Sequence, residues 1–139
     1  MKTFVLFFFL FFTPQSFAAL TCPAGFTYVE ATTSEQPFCI SSKSQSALDW
    51  RRANSACSKI DSHLCSENLW YRACNSNQIV NMPQERNWVS DLVPESFACG
   101  LGGYNGRCAY TLGGNSCNTV SSGQITYDVE EISYRCCMN

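Results

Sequence analysis

"SHLCSENLWYRAC", Ser62–Cys74, places two cysteines nine positions apart, with the chain's one histidine, His63, beside the first. Three chemistries use such a pattern: a metal site, a redox pair, or a helix braced by disulfides. A zinc site needs three or four ligands at spacings that let them converge, and a dithiol redox centre needs Cys-x-x-Cys. The chain has one histidine and no Cys-x-x-Cys, so both fall away. A His63–Cys65 nucleophile needs a free thiol, which is improbable in an exported chain with ten cysteines, an even number. The segment reads as a braced helix. Ser66 caps it, Glu67 suits the positive N-terminal end, and Leu69 with Ala73 and Trp70 with Cys74 form apolar pairs at helical spacing.

The N-terminus sets the compartment. Lys2, the apolar run Phe4–Phe12, the break at Thr13-Pro14 and the small residues Ser16 to Ala18 make a secretory signal, residues 1–18, cleaved after Ala18. Its apolar core is far shorter than the roughly 20 residues of a spanning helix, and no later run approaches that length. Ala19-Leu20-Thr21 fits a lipoprotein signal ahead of Cys22 poorly. Residues 19–139 are expected to form one domain that is secreted or periplasmic. All ten cysteines lie there, at positions 22, 39, 57, 65, 74, 99, 108, 117, 136 and 137, and read as a disulfide framework. Removing the leader leaves eight basic against eleven acidic side chains, with no basic cluster larger than Arg51-Arg52. Phosphate backbones need a positive stripe, so nucleic acid is excluded as a partner.

Upstream of the opening segment, a helix is expected over residues 47–60. Ser46 is its cap, Asp49 forms a weak capping box, and Trp50, Ala53, Cys57 and Ile60 make an inward stripe. Arg51 and Arg52 fall on a solvated face. Before that, "GFTYVEA" alternates as a strand, Glu35-Gln36-Pro37 turns, and "FCIS" returns. Cys22 and Cys39, on this hairpin, are expected to pair. Downstream, "RNWVSDL" reads as a strand carrying Trp88 inward, and "QITYDV" with "EISYRCC" as a closing strand pair or hairpin. Cys57 or Cys74 is expected to bridge to Cys136 or Cys137, and these neighbours, facing opposite ways on a strand, should serve different partners. Trp50, Trp70 and Trp88 are the expected core aromatics.

The stretch Cys99–Gly123 holds seven glycines, three cysteines and two tyrosines without helical period, and reads as a stapled irregular loop. "CGLGGYNG" lacks the third glycine of a dinucleotide fingerprint. Glu130-Glu131, being adjacent, diverge on a strand. No Gly-x-Ser-x-Gly elbow exists, and no lectin-type triplet supports calcium, so no cofactor is expected. Tyr104, Asn105, Arg107 and Tyr110 remain, residue types that suit a binding surface because aromatic area comes with adaptable hydrogen bonds.

"LCSENLWYRAC" resembles the "LC-T-x-x-E-W-x-x-AC" segment of the formylglycine-generating (sulfatase-modifying factor) family, which has the C-type lectin-like fold. Cys22-Pro23 with Gly25-Phe26, Phe38–Ile40, the Trp50–Ala53–Cys57 pattern, "WVSD" at Trp88–Asp91 and "SYRCC" at Ser133–Cys137 are similar to its other segments, in order. The resemblance implies an α+β, disulfide-rich C-type lectin-like domain, with two helices flanking a small twisted, mostly antiparallel sheet. The sequence departs at Ser41-Ser42-Lys43, Leu69 and Asn87, and Cys99, Cys108 and Cys117 do not reproduce the family's copper-binding arrangement. No catalytic residue carries over. The expectation is a non-catalytic binding module presenting the Cys99–Gly123 loop to a glycan or a surface protein. The alternatives are a thiol–copper oxidoreductase or its inactive remnant, and a structural envelope component.

Overall fold

The computed structural model describes residues 20–94, 107–125 and 130–139. Helix α2 spans Glu67–Asn75, and the Ser66 hydroxyl accepts from the Leu69 amide at 3.4 Å. Trp70, Ala73 and Cys74 are buried and Leu69 packs partly against them, so the expected inward face holds. Helix α1 is shorter than its apolar pattern predicts. It runs Trp50–Ser58, and Asp49 caps it through the Arg52 amide at 3.0 Å. Ser46, expected as the cap, and residues 47 and 48, expected to open the helix, lie instead in strand β3, Gln45–Leu48. Ile60, past the helix end, is exposed, so the inward stripe reduces to Ala53 and Cys57 with Trp50 half-buried.

Strands β1 (Phe26–Val29) and β2 (Phe38–Ser41) pair antiparallel as the expected hairpin. The remaining strands are β4 (His63–Leu64), β5 (Asn87–Leu92), β6 (Cys108–Leu112), β7 (Val120–Gln124), β8 (Ile132–Tyr134) and β9 (Cys136–Met138). They form two sheets, one ordered β1-β2-β9-β4 and the other β3-β8-β5-β6-β7. Pairing is antiparallel throughout except between β5 and β8. One reading of the sequence is corrected here. Much of Cys99–Gly123 is the β6–β7 hairpin, whose small polar residues carry little strand signal because Val120, Ser121 and Ser122 are exposed. Most of "QITYDV", expected to pair with the C-terminal strands, lies outside the described residues; its Gln124 ends β7, which pairs with β6, and residues 132–138 are divided between the two sheets.

Arg135 makes that division. It is 1% exposed, donates to the Ser41 carbonyl at 2.8 Å and to Glu85 Oε2 at 2.7 Å, and its own carbonyl accepts from Cys65 N at 3.2 Å. Burial lowers the guanidinium pKa, and the Glu85 carboxylate works against that shift. A buried cation is tolerated only with such partners. On either side of it, β8 lies between β3 and β5, and β9 between β2 and β4.

The core has two parts. Phe38, Ile40, Trp70, Met82, Val89 and Leu112 pack one, and Ala53, Leu64, Trp88, Ala109, Ile132 and Tyr134 the other. Trp88 lies so close to β7 that a Cβ on Gly123 would collide with its ring. Trp50 is less buried than Trp70 and Trp88, and its indole donates to the Val89 carbonyl at 2.8 Å.

Candidate functional site

The bridges decide what the cysteines can do. Cys22 joins Cys39, Cys57 joins Cys136, Cys65 joins Cys137 and Cys74 joins Cys117. The hairpin bridge and the separate partners of Cys136 and Cys137 match expectation. Cys74 instead ties α2 to the turn between β6 and β7. Cys108 is also disulfide-bonded. Among the described residues no cysteine is free and no group of three or more His, Cys, Asp or Glu is placed to hold a metal ion. His63 stands opposite Cys137 on β4, partial desolvation pushing its pKa below the usual 6.5, and the neighbouring Cys65 sulfur is consumed by Cys137. The opening segment is therefore a brace. Glu130 and Glu131 diverge as expected: Glu130 bonds Arg86 and the Gln124 amide, whereas Glu131 bonds Arg52.

Of the four predicted ligand residues, Tyr104 and Asn105 lie outside the described residues, as does Cys99. Arg107 is exposed. Tyr110 lies within β6, opposite Ser122, half-buried and packed against the core around Trp70. It belongs to the sheet rather than to a loop, because strand alternation turns it toward that cluster. The chain on either side of residues 95–106 is closely held. Val93 N donates to the Cys108 carbonyl at 2.9 Å, and Ile125 N to the Arg107 carbonyl at 3.0 Å. The ends of β5 and β7 and the start of β6 thus meet at one end of the five-stranded sheet.

A second surface carries no sequence motif. On the outward side of α2, Tyr71 is 46% exposed and stands between two open grooves of about 450 Å³ each. One groove runs past Glu30, Thr32, Asn75 and Gln78, and the other past Glu67, Asn68 and Asp91. Asp91 Oδ2 accepts from Glu67 N at 2.6 Å, which holds the carboxylate against the helix start. Asn68 donates to Glu35 Oε1 at 2.5 Å.

Arg72, next to Tyr71, is held by the hairpin. Its Nη atoms donate to the Glu30 and Gln36 carbonyls at 2.9 and 3.2 Å. Its Nε lies 2.9 Å from Glu35 Oε2 as an ion pair without hydrogen-bond alignment, and its Cζ sits 5.0 Å from the Phe38 ring centre. Arg72 clamps the hairpin to α2. Among the described residues, the Glu67 carboxylate and the Tyr71 hydroxyl bond nothing. Tyr71 was legible only as an outward position on a correctly read helix, flanked by the inward Trp70 and Ala73.

No family model matches the sequence, and no curated protein matches it. Among solved structures, a calcium-independent type II antifreeze protein matches with a TM-score of 0.53, over 87% of this chain and 96% of its own. The fold is C-type lectin-like. Sequence identity to that structure is 15%, so the likeness is one of architecture.

Proposed function

We propose that the protein is an exported, non-catalytic recognition module that binds a glycan or a protein on a surface. The observation that carries this reading is the bridging of Cys117 to Cys74, together with the bonded state of Cys108. A thiol–copper oxidoreductase needs a thiol pair from Cys99, Cys108 and Cys117, and two of the three are spent. The likeness of Leu64–Cys74 to the formylglycine-generating family is read as one of fold. Four bridges support an oxidising compartment and hence export. Among the described residues no helix is long and apolar enough to cross a membrane.

The ligand face is assigned to the segment between β5 and β6, with Tyr104, Asn105 and Arg107. What supports it is the anchoring of Val93, Arg107 and Ile125 at one sheet end, a rigid base for a segment that carries recognition. The likeness to a protein described as calcium-independent supports recognition without a cation. The test is a glycan-array and envelope-fraction pull-down with wild type and a Tyr104→Ala/Asn105→Ala/Arg107→Ala variant. Binding by the wild type, unchanged by a chelator and lost in the variant at unchanged melting temperature, is expected. A variant that unfolds would favour a structural envelope component, and equal binding by both would move the ligand face elsewhere.

A further inference from the structure

The outward face of α2 is acidic around an exposed aromatic ring. Glu67 and Asp91 border one groove beside Tyr71 and Glu30 borders the other. Among the described residues the one cation lining either groove is Arg72, which is paired with Glu35 and donates its Nη groups to hairpin carbonyls. A tyrosine ring presents a negative face, and carboxylates beside it add to that potential. A planar guanidinium answers both features, because it stacks on the ring while its in-plane N–H groups reach a carboxylate. A neutral sugar or an anion gains nothing from the charge.

We infer that this face docks an arginine-bearing segment of a partner protein, with the guanidinium over Tyr71 and directed toward the groove between Glu67 and Asp91. Charge complementarity selects the occupant. Preorganisation favours it too: Ser66 and the Cys74–Cys117 bridge hold α2 at its two ends, and Asp91 is fixed by the Glu67 amide. The ring and its carboxylates therefore need little ordering on binding. This surface lies on a different element from the Tyr104–Arg107 segment and does not depend on that assignment.

The experiment is a titration of the ¹⁵N-labelled mature chain with acetyl-Gly-Arg-Gly-Arg-Gly-amide, alongside the same peptide with citrulline for arginine. Citrulline keeps the shape and removes the charge. The arginine peptide is expected to shift the amides of Glu67–Asn75 and Asp91 saturably, and the citrulline peptide to bind at least about tenfold more weakly. Glu67→Gln with Asp91→Asn, which preserves the acceptor for Glu67 N, should weaken binding about fivefold, as should 0.5 M salt. Tyr71→Phe should bind as wild type and Tyr71→Ala should not, at an unchanged melting temperature for both. The Tyr104/Asn105/Arg107 triple variant should bind the arginine peptide normally, which separates this face from the loop. Equal binding of the citrulline peptide, loss of binding in Tyr71→Phe, or shifts centred away from α2 would overturn the inference. So would concentration-dependent self-association abolished by Arg51→Ala, which would make a second copy the occupant.

Discussion

The two helices are each nine residues long and each follow an N-cap side chain, yet their outward faces leave different chemistry exposed, basic Arg51 on α1 and Glu67 with Tyr71 on α2. On α1, Arg52 is committed: it pairs with the Asp49 cap and with Glu131 at 2.8 Å. On α2, the committed arginine is Arg72, turned sideways to clamp the hairpin, while Tyr71 and Glu67 face solvent without a protein partner among the described residues. One helix ties Arg52 into the fold and leaves Arg51 exposed. The other leaves Tyr71 and Glu67 available, and the difference is where a binding surface can exist without cost to stability.

Four experiments break or sharpen that contrast, from the largest effect down. Removing the Cys57–Cys136 bridge as a double alanine variant frees a closed loop of 79 residues' separation and should cost about 4.5 kcal/mol on the chain-entropy account. Removing Cys74–Cys117, separation 43, should cost about 4 kcal/mol. Urea unfolding reads both, and near-zero values would mean that helix packing alone holds the frame.

Within α2, Trp70→Ala should lose about 3–5 kcal/mol because the ring is fully buried. The neighbouring Tyr71→Ala should stay within about 0.5 kcal/mol. Equal losses would show that Tyr71 is part of the packing and would remove the contrast between the faces. At the sheet, Gly123→Ala should cost about 1–3 kcal/mol, since the Trp88 ring occupies the space of the new methyl group.

The caps give the smallest and most discriminating effect. Asp49→Ala and Ser66→Ala should each cost about 1 kcal/mol at neutral pH. They differ in acid. Burial acts to raise the Asp49 pKa, but the Arg52 side chain, its amide and its charge outweigh this and hold the carboxyl below its ordinary 3.8. A depressed folded-state pKa contributes stability above the unfolded value that is lost as pH falls through the folded one. The penalty of Asp49→Ala should therefore shrink in thermal melts taken below about pH 4, whereas that of Ser66→Ala should not. Parallel behaviour of the two caps would show that the carboxylate pairing in α1 adds nothing to the hydroxyl cap in α2.

Much of the framework could be read from the chain because its determinants are local. Ser66, Glu67 and the Trp70–Cys74 spacing define α2 within one short segment, and Pro37 before "FCIS" marks a turn and the strand after it. The edges of α1 were not readable, because Gln45–Leu48 becomes a strand only by pairing with β8, more than eighty residues away in sequence. Tyr110 looks like a loop residue in the sequence for a similar reason: its neighbours are glycine-rich, and only the pairing of β6 with β5 and β7 defines its strand. The Tyr104–Arg107 assignment rests in the sequence on residue type, and in the structure on the anchoring of the chain on either side of residues 95–106.

The sequence by itself determined the braced helix, the hairpin, the disulfide-rich character and the divergent partners of Cys136 and Cys137. These follow from capping, turn chemistry and strand alternation, which act over a few residues. Only the tertiary structure decided which sheet each half of residues 132–138 joins, which cysteine meets Cys74, and that Tyr71 stands between two acidic grooves. Those outcomes depend on contacts between segments far apart in the chain. Arg135 can be buried only where Ser41, Glu85 and Cys65 already converge, and that convergence is a property of the whole fold.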